Sequence, residues 1–400
     1  FVSHGRRLNA TDVVSPLQGE AFVRAMLELR SLDRNAYVRA LQHELRALGQ
    51  GHVPRDGVLS RGTLRAILSF CHANGIGTLC REKGPIEKNT SMAIVEALAA
   101  QRAQALPAAG KRMVFEGDQG FEPVRLKRLP QDTVIDLSNA TFRVSISQNP
   151  APVSNRDCKV GTSPVNRYPF AIENSAGITI EKGVFEGTVP LKSDWLYTYC
   201  NSAAIRVEAS PNASVEGARF TQVWDGIRIA DGTSNFTIAG VQMSDVRDDC
   251  IENDWLMAGV IRDSLLDGCF AGISVAPIKR LSRKADLRIE NVIMRMTSFT
   301  YRGRLNHALP IKIESNGARI ELNDSVFAVE SQKPVGSSNV STMWQAIGKC
   351  RNNRLLWLGK GPVPDWVKAA PKCFQIHAGA DAQRIWETRK QQWTNRQAAG

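Results

Sequence analysis

Two columns of apolar residues recur with a common interval and restrict this chain to few folds. In the first, an aliphatic residue is followed five positions later by a large apolar one. The pairs are Ile180/Phe185, Val215/Phe220, Ile238/Met243, Ile261/Leu266, Ile289/Met294 and Leu322/Phe327. Their first members lie 35, 23, 23, 28 and 33 residues apart. The second column is a short strand centred on Ile205, Ile227, Ile251, Ile273 and Ile311, at intervals of 22, 24, 22 and 38. A shared base interval of 22–24 residues, broken by insertions, is what a solenoid needs. Each repeat is one coil, and stacked coils bury a core that no single repeat could close. A β-sandwich would also supply short strands, but nothing in it makes two columns keep one period. The pattern predicts a mainly β chain: a right-handed parallel β-helix over 112–345, a small N-terminal α-helical domain over 1–105, and a tail, 346–400, packing on the solenoid. Asn139, Asn174, Asn235, Asn291 and Asn323 fall where turns or strand ends are expected.

The N-terminal part has helical texture. EAFVRAMLELRSL sets Phe22, Met26 and Leu29 on one face, with Ser15 before Pro16, or Asp12, as the candidate cap. VRALQHELRALGQG places Val38, Leu41, Leu45 and Leu48 on one stripe, ended by Gly49. A turn at 54–57, a helix with Thr63 near its start, and SMAIVEALAAQ complete the unit, and LPAAG (106–110) reads as a linker. The order LQ-x2-L-x2-LG, then DG, then R-x-T-x2-A-x3-F is carried by Leu41, Gln42, Leu45, Leu48, Gly49, Asp56, Gly57, Arg61, Thr63, Ala66 and Phe70. It resembles a peptidoglycan-binding-type three-helix module, which implies an envelope or secreted protein. The same pattern also suits a small bundle with only a packing role.

The formal charge of +12 favours an anionic partner such as an acidic polysaccharide or cell wall. No block of Lys/Arg interleaved with aromatics points to nucleic acid. No apolar run approaches the ~20 residues of a membrane span. The chain starts at Phe1 rather than Met, and we expect a leader to have been removed. Eight cysteines form plausible pairs, Cys71 with Cys80, Cys158 with Cys200 and Cys350 with Cys373, which suggests an oxidising compartment, periplasmic or extracellular. Cys250 and Cys269 lie near corresponding positions of adjacent coils and suit either a disulfide or stacked buried thiols. Trp357, Trp366, Trp386 and Trp393 in the tail could stack on sugars, but packing against the solenoid is the expected role for most.

Side chains alternate along a strand, so the neighbours of each inward isoleucine face out. One position after each centre stand Arg206, Arg228, Glu252, Ser274 and Lys312. Two positions before stand Ala203, Asp225, Asp249, Ala271 and Leu309, and three after Ile251 stands Asp254. With adjacent coils about 4.8 Å apart, Asp225, Asp249, Glu252, Asp254, Arg228 and Lys312 should gather in one patch, with Asp248 at the bend beside Asp249. Such a gathering is either a salt-bridge ladder holding coils in register or a site with perturbed acids. Paired carboxylates that split their pKa values provide the acid and the base that glycoside hydrolysis needs.

At these residues the chain resembles the pectin-lyase-like β-helix superfamily, and more narrowly the family-28 glycoside hydrolases of the polygalacturonase type. WDGI (224–227), DDCI (248–251) and PIK (310–312) carry the likeness. The resemblance implies that Asp225 and Asp249 activate water, that Asp248 is the general acid, and that Lys312 binds substrate, with Arg228, Glu252 and Asp254 alongside. The coil after DDCI reads GCFAGIS and lacks the family's His, and Pro310 stands where its Arg would be. A divergent polysaccharide-cleaving enzyme is therefore expected. His307, just before the Lys312 strand, is a further candidate for substrate binding or acid–base work. No cofactor is expected for a hydrolase. A polysaccharide lyase on the same scaffold would instead hold Ca²⁺ on Asp225, Asp249, Glu252 and Asp254, with Lys312 or an Arg as base. An epimerase, or a glycan- or wall-binding protein without catalysis, completes the alternatives.

Overall fold

A computed structural model describes residues 2–3, 6–7, 14, 17, 19–48, 53–54, 56–81, 83–104, 111–144, 168–198, 203–275, 285–314 and 317–399. The candidate caps at Asp12 and Ser15–Pro16, Gly49, the 106–110 linker and the Cys158/Cys200 pair lie outside these residues. Two compact units emerge, one of residues 1–111 with 128–132, the other of 112–127 with 133–400.

The first unit contains helices Gly19–Leu32, Arg34–Ala47, Arg61–Ala73 and Lys88–Gln104. Phe22, Met26 and Leu29 meet Val38, Leu41, Leu45, Ile67, Phe70, Ile94 and Leu98 in one core. The motif residues Gln42, Asp56, Gly57 and Thr63 form a polar hub inside it. The Gln42 amide donates to Asp56 Oδ1 at 2.9 Å and Thr63 Oγ1 at 3.0 Å, and its carbonyl accepts from Gly57 N at 2.8 Å. A buried amide must be satisfied in this way, so these residue types have a structural role in this unit. Cys71–Cys80 closes the turn after the third helix.

The second unit is a parallel β-helix whose ladders belong to a 22-stranded sheet. Three strand stacks run up it. The first aligns Ile135, Ile180, Val215, Ile238, Ile261, Ile289 and Leu322. The second aligns Phe142, Phe185, Phe220, Met243, Leu266, Met294 and Phe327. The third aligns Phe170, Ile205, Ile227, Ile251, Ile273 and Ile311. Both sequence columns are thus the inward rows. Phe142, Phe185 and Phe220 stack ring on ring, with centroids 4.9 and 5.1 Å apart. The corner between the first two stacks is two residues long and needs a left-handed residue. Lys182, Gly217, Gly240, Asp263, Asn291, Asp324 and Asn352 supply it, each with φ between 51° and 68°. Asn174 and Asn235 take the same conformation at other corners, whereas Asn323 ends a strand.

The sequence pattern ends the solenoid at 345, but the ladders continue. Ile347–Arg351 pairs with Ala318–Asn323, and Asn353–Trp357 and Phe374–Ala378 extend the second stack. Cys350 and Leu355 occupy the two column positions, and among the described residues the third stack has no strand beyond Ile311–Lys312. Helix Gly379–Ala399 lies outside the second stack, where Ala382, Trp386 and Trp393 cover Leu265, Ile293, Val326 and Leu356. Trp393 Nε1 donates to Asp263 O at 2.7 Å, and Trp366 Nε1 to Ser331 O at 3.1 Å. The tail tryptophans therefore serve packing. Disulfides join Cys350 with Cys373 and Cys250 with Cys269. No helix among the described residues is long and apolar enough to cross a membrane.

Gly226 of the WDGI stretch is needed by the coil spacing. A Cβ there would stand 2.5 Å from Cys250 O and 2.7 Å from Met243 Sδ. Gly226→Ala is expected to cost about 1–3 kcal/mol in urea unfolding, as overpacking does.

Candidate active site

The third stack sets the outward row by register. Arg228 pairs with Glu252, Glu252 with Ser274, and Ser274 with Lys312. Because Ile227, Ile251, Ile273 and Ile311 are drawn into the core, their following residues must face out. Asp225 and Asp249 precede the same isoleucines by two. The Asp249 N–H donates to Asp225 Oδ1 at 3.0 Å, which fixes one carboxylate directly against the next coil.

The cations are placed among the acids. Lys312 Nζ reaches both oxygens of Asp249, at 2.9 and 3.2 Å. Arg228 donates to Glu252, to Asp225 Oδ2 at 3.3 Å and to the hydroxyl of Tyr168 at 2.6 Å. Ser274 Oγ donates to Asp254 Oδ1 at 2.6 Å. All the sequence candidates except His307 therefore belong to one cluster.

Charge balance separates this cluster from a register-keeping ladder. Lower on the same face, Lys127 and Arg206 pair with Glu173 and Glu208, one cation for each acid. Here five carboxylates, of Asp225, Asp248, Asp249, Glu252 and Asp254, face three cations, Arg228 and Lys312 within the cluster and Arg247 beside Asp248. Burial raises Asp248 to about 7, helped by the charge of Asp249 and opposed by Lys312 and the nearby indole N–H of Trp195. Burial, then Glu252, raises Asp254 to about 6. Asp225 is pushed well up by burial and by Glu252, against the pull of Arg228. Burial also raises Asp249, with Lys312 working against it. Lys312 is held charged far above its usual range, because the carboxylates outweigh its desolvation. The cluster thus retains protons near neutrality and can both give and take them.

Asp225, Asp249 and Glu252 each bring one oxygen within 4.8 Å of the others. Arg228 and Lys312 already bind all three carboxylates. Calcium takes carboxylate oxygens as ligands, and an ion at these three residues would compete with Arg228 and Lys312 for the same oxygens.

An aromatic wall stands beside the acids. It comes from two insertions, the segment that leads into and includes helix Trp195–Thr198 and the hairpin Phe299–Tyr301/Arg304–Asn306. Trp195 meets Trp224 and Tyr301, both at 5.6 Å between centroids, and Tyr301 stacks on Phe270. Tyr168 lies under the guanidinium groups of Arg206 and Arg228, 5.1 and 5.6 Å from its ring centre. Tyr168, Trp195 and Tyr301 are not among the sequence candidates. For Trp195 and Tyr301 the available signal was the insertion length, 35 residues between Ile180 and Val215 and 38 between Ile273 and Ile311.

His307 is a correction. It is fully buried, its Nδ1 lies 2.6 Å from Ala308 O, and its Nε2 accepts from Glu330 N and Ser331 N at 3.0 and 2.9 Å. Both ring nitrogens are engaged by backbone, and burial lowers its pKa to about 4. It is a neutral brace. His307→Ala should cost about 2–3 kcal/mol in urea unfolding by orphaning two N–H groups, with kcat unchanged.

In comparison with known proteins, no protein-family model matches the sequence, and no curated protein or solved structure matches it significantly.

Proposed function

We propose that this chain is a polysaccharide-cleaving enzyme that works in the periplasm or outside the cell and hydrolyses a glycosidic bond by acid–base chemistry. The observation that carries the proposal is the convergence of Asp225, Asp248 and Asp249 in one buried cluster with more acids than counter-charges. Asp248, protonated near neutrality, is the general acid for the leaving oxygen. Asp249, fastened by Lys312, activates water together with Asp225. Lys312 and Arg228 are the groups that would meet substrate oxygens or an anionic sugar. The likeness of WDGI and DDCI to family-28 glycoside hydrolases within the pectin-lyase-like superfamily supports this assignment. The peptidoglycan-binding-like motif and the disulfides favour a cell-wall setting.

The test is a polysaccharide panel read for new reducing ends and for near-ultraviolet absorbance. Hydrolysis gives reducing ends without absorbance, and both Asp225→Asn and Asp249→Asn lose it. Unchanged activity in the two variants would sink the proposal. Absorbing products would mean a lyase, altered sugar configuration without cleavage an epimerase, and binding without products a wall-binding protein.

A further inference from the structure

Arg247, immediately before Asp248, is fully buried. Its Nη2 donates to Ser193 O at 3.1 Å and to Thr300 O at 2.6 Å. Its Nε and Nη1 are buried without a hydrogen-bond partner among the described residues. The guanidinium lies 5.0 Å from the Phe299 ring centre and 5.6 Å from that of Phe270.

A guanidinium half-satisfied between two phenyl rings is a poor device for stability. Orphaned buried donors are costly, and an apolar side chain of similar length would often serve the core as well or better. Its two bonds, however, go to different insertions. Ser193 belongs to the segment that carries Trp195, and Thr300 to the hairpin that carries Tyr301. Asp194 adds a second tie, accepting from Gly303 N at 2.6 Å. Trp195 packs on Tyr301 and on Trp224, whose carbonyl accepts from the Asp248 N–H at 2.8 Å. A line of contact thus runs from Arg247 through both insertions and back to the backbone of the next residue, with the Trp195 indole near its carboxyl.

We propose that Arg247 is a positioning residue for the acid–base cluster, clamping the two insertions so that Trp195 is held against Asp248. The proposal rests on the glycosidase assignment above. The clamp has two effects on Asp248: it holds the Trp195 indole beside the carboxyl through the Trp224 contact, and it places a positive charge next in sequence. Both favour the ionised carboxyl and restrain a pKa that burial drives upward. The charged groups facing Arg247 are Asp248 and, on the first insertion, Asp194. The hairpin turns its Phe299 ring to Arg247, with Tyr301 and Arg302 stacked on each other farther along it, and the strand Leu265–Ser274 offers the Phe270 ring. Around Asp248 stand Asp225, Asp249, Glu252 and Lys312.

The test is Arg247→Met and Arg247→Lys in the full chain, using the polysaccharide that the panel identifies. Arg247→Met should fold to the wild-type level and lower kcat ~10- to 100-fold through misplacement of the acid. KM should stay within about twofold, and the alkaline limb of kcat should move up by about half to one pH unit. Arg247→Lys should restore the limb and part of kcat. Should Arg247→Met not accumulate as folded protein, Arg247→Gln gives the same measurement. Wild-type kcat and limb in Arg247→Met overturn the inference. So does a fall in kcat with an unmoved limb, which would make Arg247 a mere brace. A carbon-13 titration of the Asp248 carboxyl, assigned with Asp248→Asn, reads the same effect without turnover. If Asp248→Asn and Asp249→Asn keep activity, the glycosidase assignment fails. If they lose it while Arg247→Met behaves as wild type, only this inference fails.

Discussion

Asp249→Asn should reduce polysaccharide hydrolysis by ~10²- to 10⁴-fold, the range lost when a positioned acid or base is removed, while the β-helix stays folded. The amide keeps the shape of the carboxylate and can still accept from Lys312, which touches both Asp249 oxygens. It cannot take a proton from water. Asp248→Asn should cost as much on polysaccharide for a different reason, since the leaving oxygen then departs as an anion. The two variants separate on an aryl glycoside of the same sugar with a dinitrophenyl leaving group. That leaving group needs no proton, so Asp248→Asn should lose less than about tenfold there, and Asp249→Asn should remain inactive. Equal losses on both substrates would reverse or dissolve the assignment of acid and base.

The assignment could be made at Asp225, Asp248 and Asp249 because repetition makes outward rows legible. Once Ile227, Ile251, Ile273 and Ile311 are aligned, a period of two decides which neighbours share a face. Arg228, Glu252, Ser274 and Lys312 then stack as the register shows. What lies in the insertions obeys no such rule. Trp195 and Tyr301 reach the acids through packing between segments more than 100 residues apart in sequence, and no period relates them. Arg247 sits where the strand Gln242–Glu252 shifts register between Val246 and Asp249. That irregularity brings the second and third stacks into one strand and leaves alternation no guide to where Arg247 points. His307 shows the opposite failure. A histidine after a hairpin reads as exposed, but Ala308 and Leu309 behind it are drawn into the core and take it with them. The sequence pattern stops short of the solenoid end because helix Val340–Ala346 intervenes and no further third-stack strand follows among the described residues.

The acids that would make the site work should also weaken the fold at neutral pH, and Asp248→Asn should reveal it. Asp248 rises from 3.8 to about 7 in the folded chain, mainly by burial. Between these values the native state holds a proton that the unfolded state has released. Stability therefore falls as pH rises through this window, and the loss is complete above about 7. A gap of roughly three units is worth about 4 kcal/mol if Asp248 acted alone, and less because its neighbours share the proton. His307 acts in the reverse sense. Its folded pKa of about 4 lies below the unfolded 6.5, so it adds stability as pH rises between them. Wild-type stability alone would blend the two trends, but the difference between Asp248→Asn and wild type cancels the histidine. That difference should be small at pH 4, grow towards pH 7, and reach about 2–3 kcal/mol in favour of the variant by pH 8. Urea unfolding of both proteins across that range measures it. A flat difference would mean that Asp248 is ionised in the folded chain at all these pH values, and would remove it as the acid. A rising one would mean that an inactive variant is the more stable protein, the relation expected where a buried charge is kept for chemistry rather than for the fold.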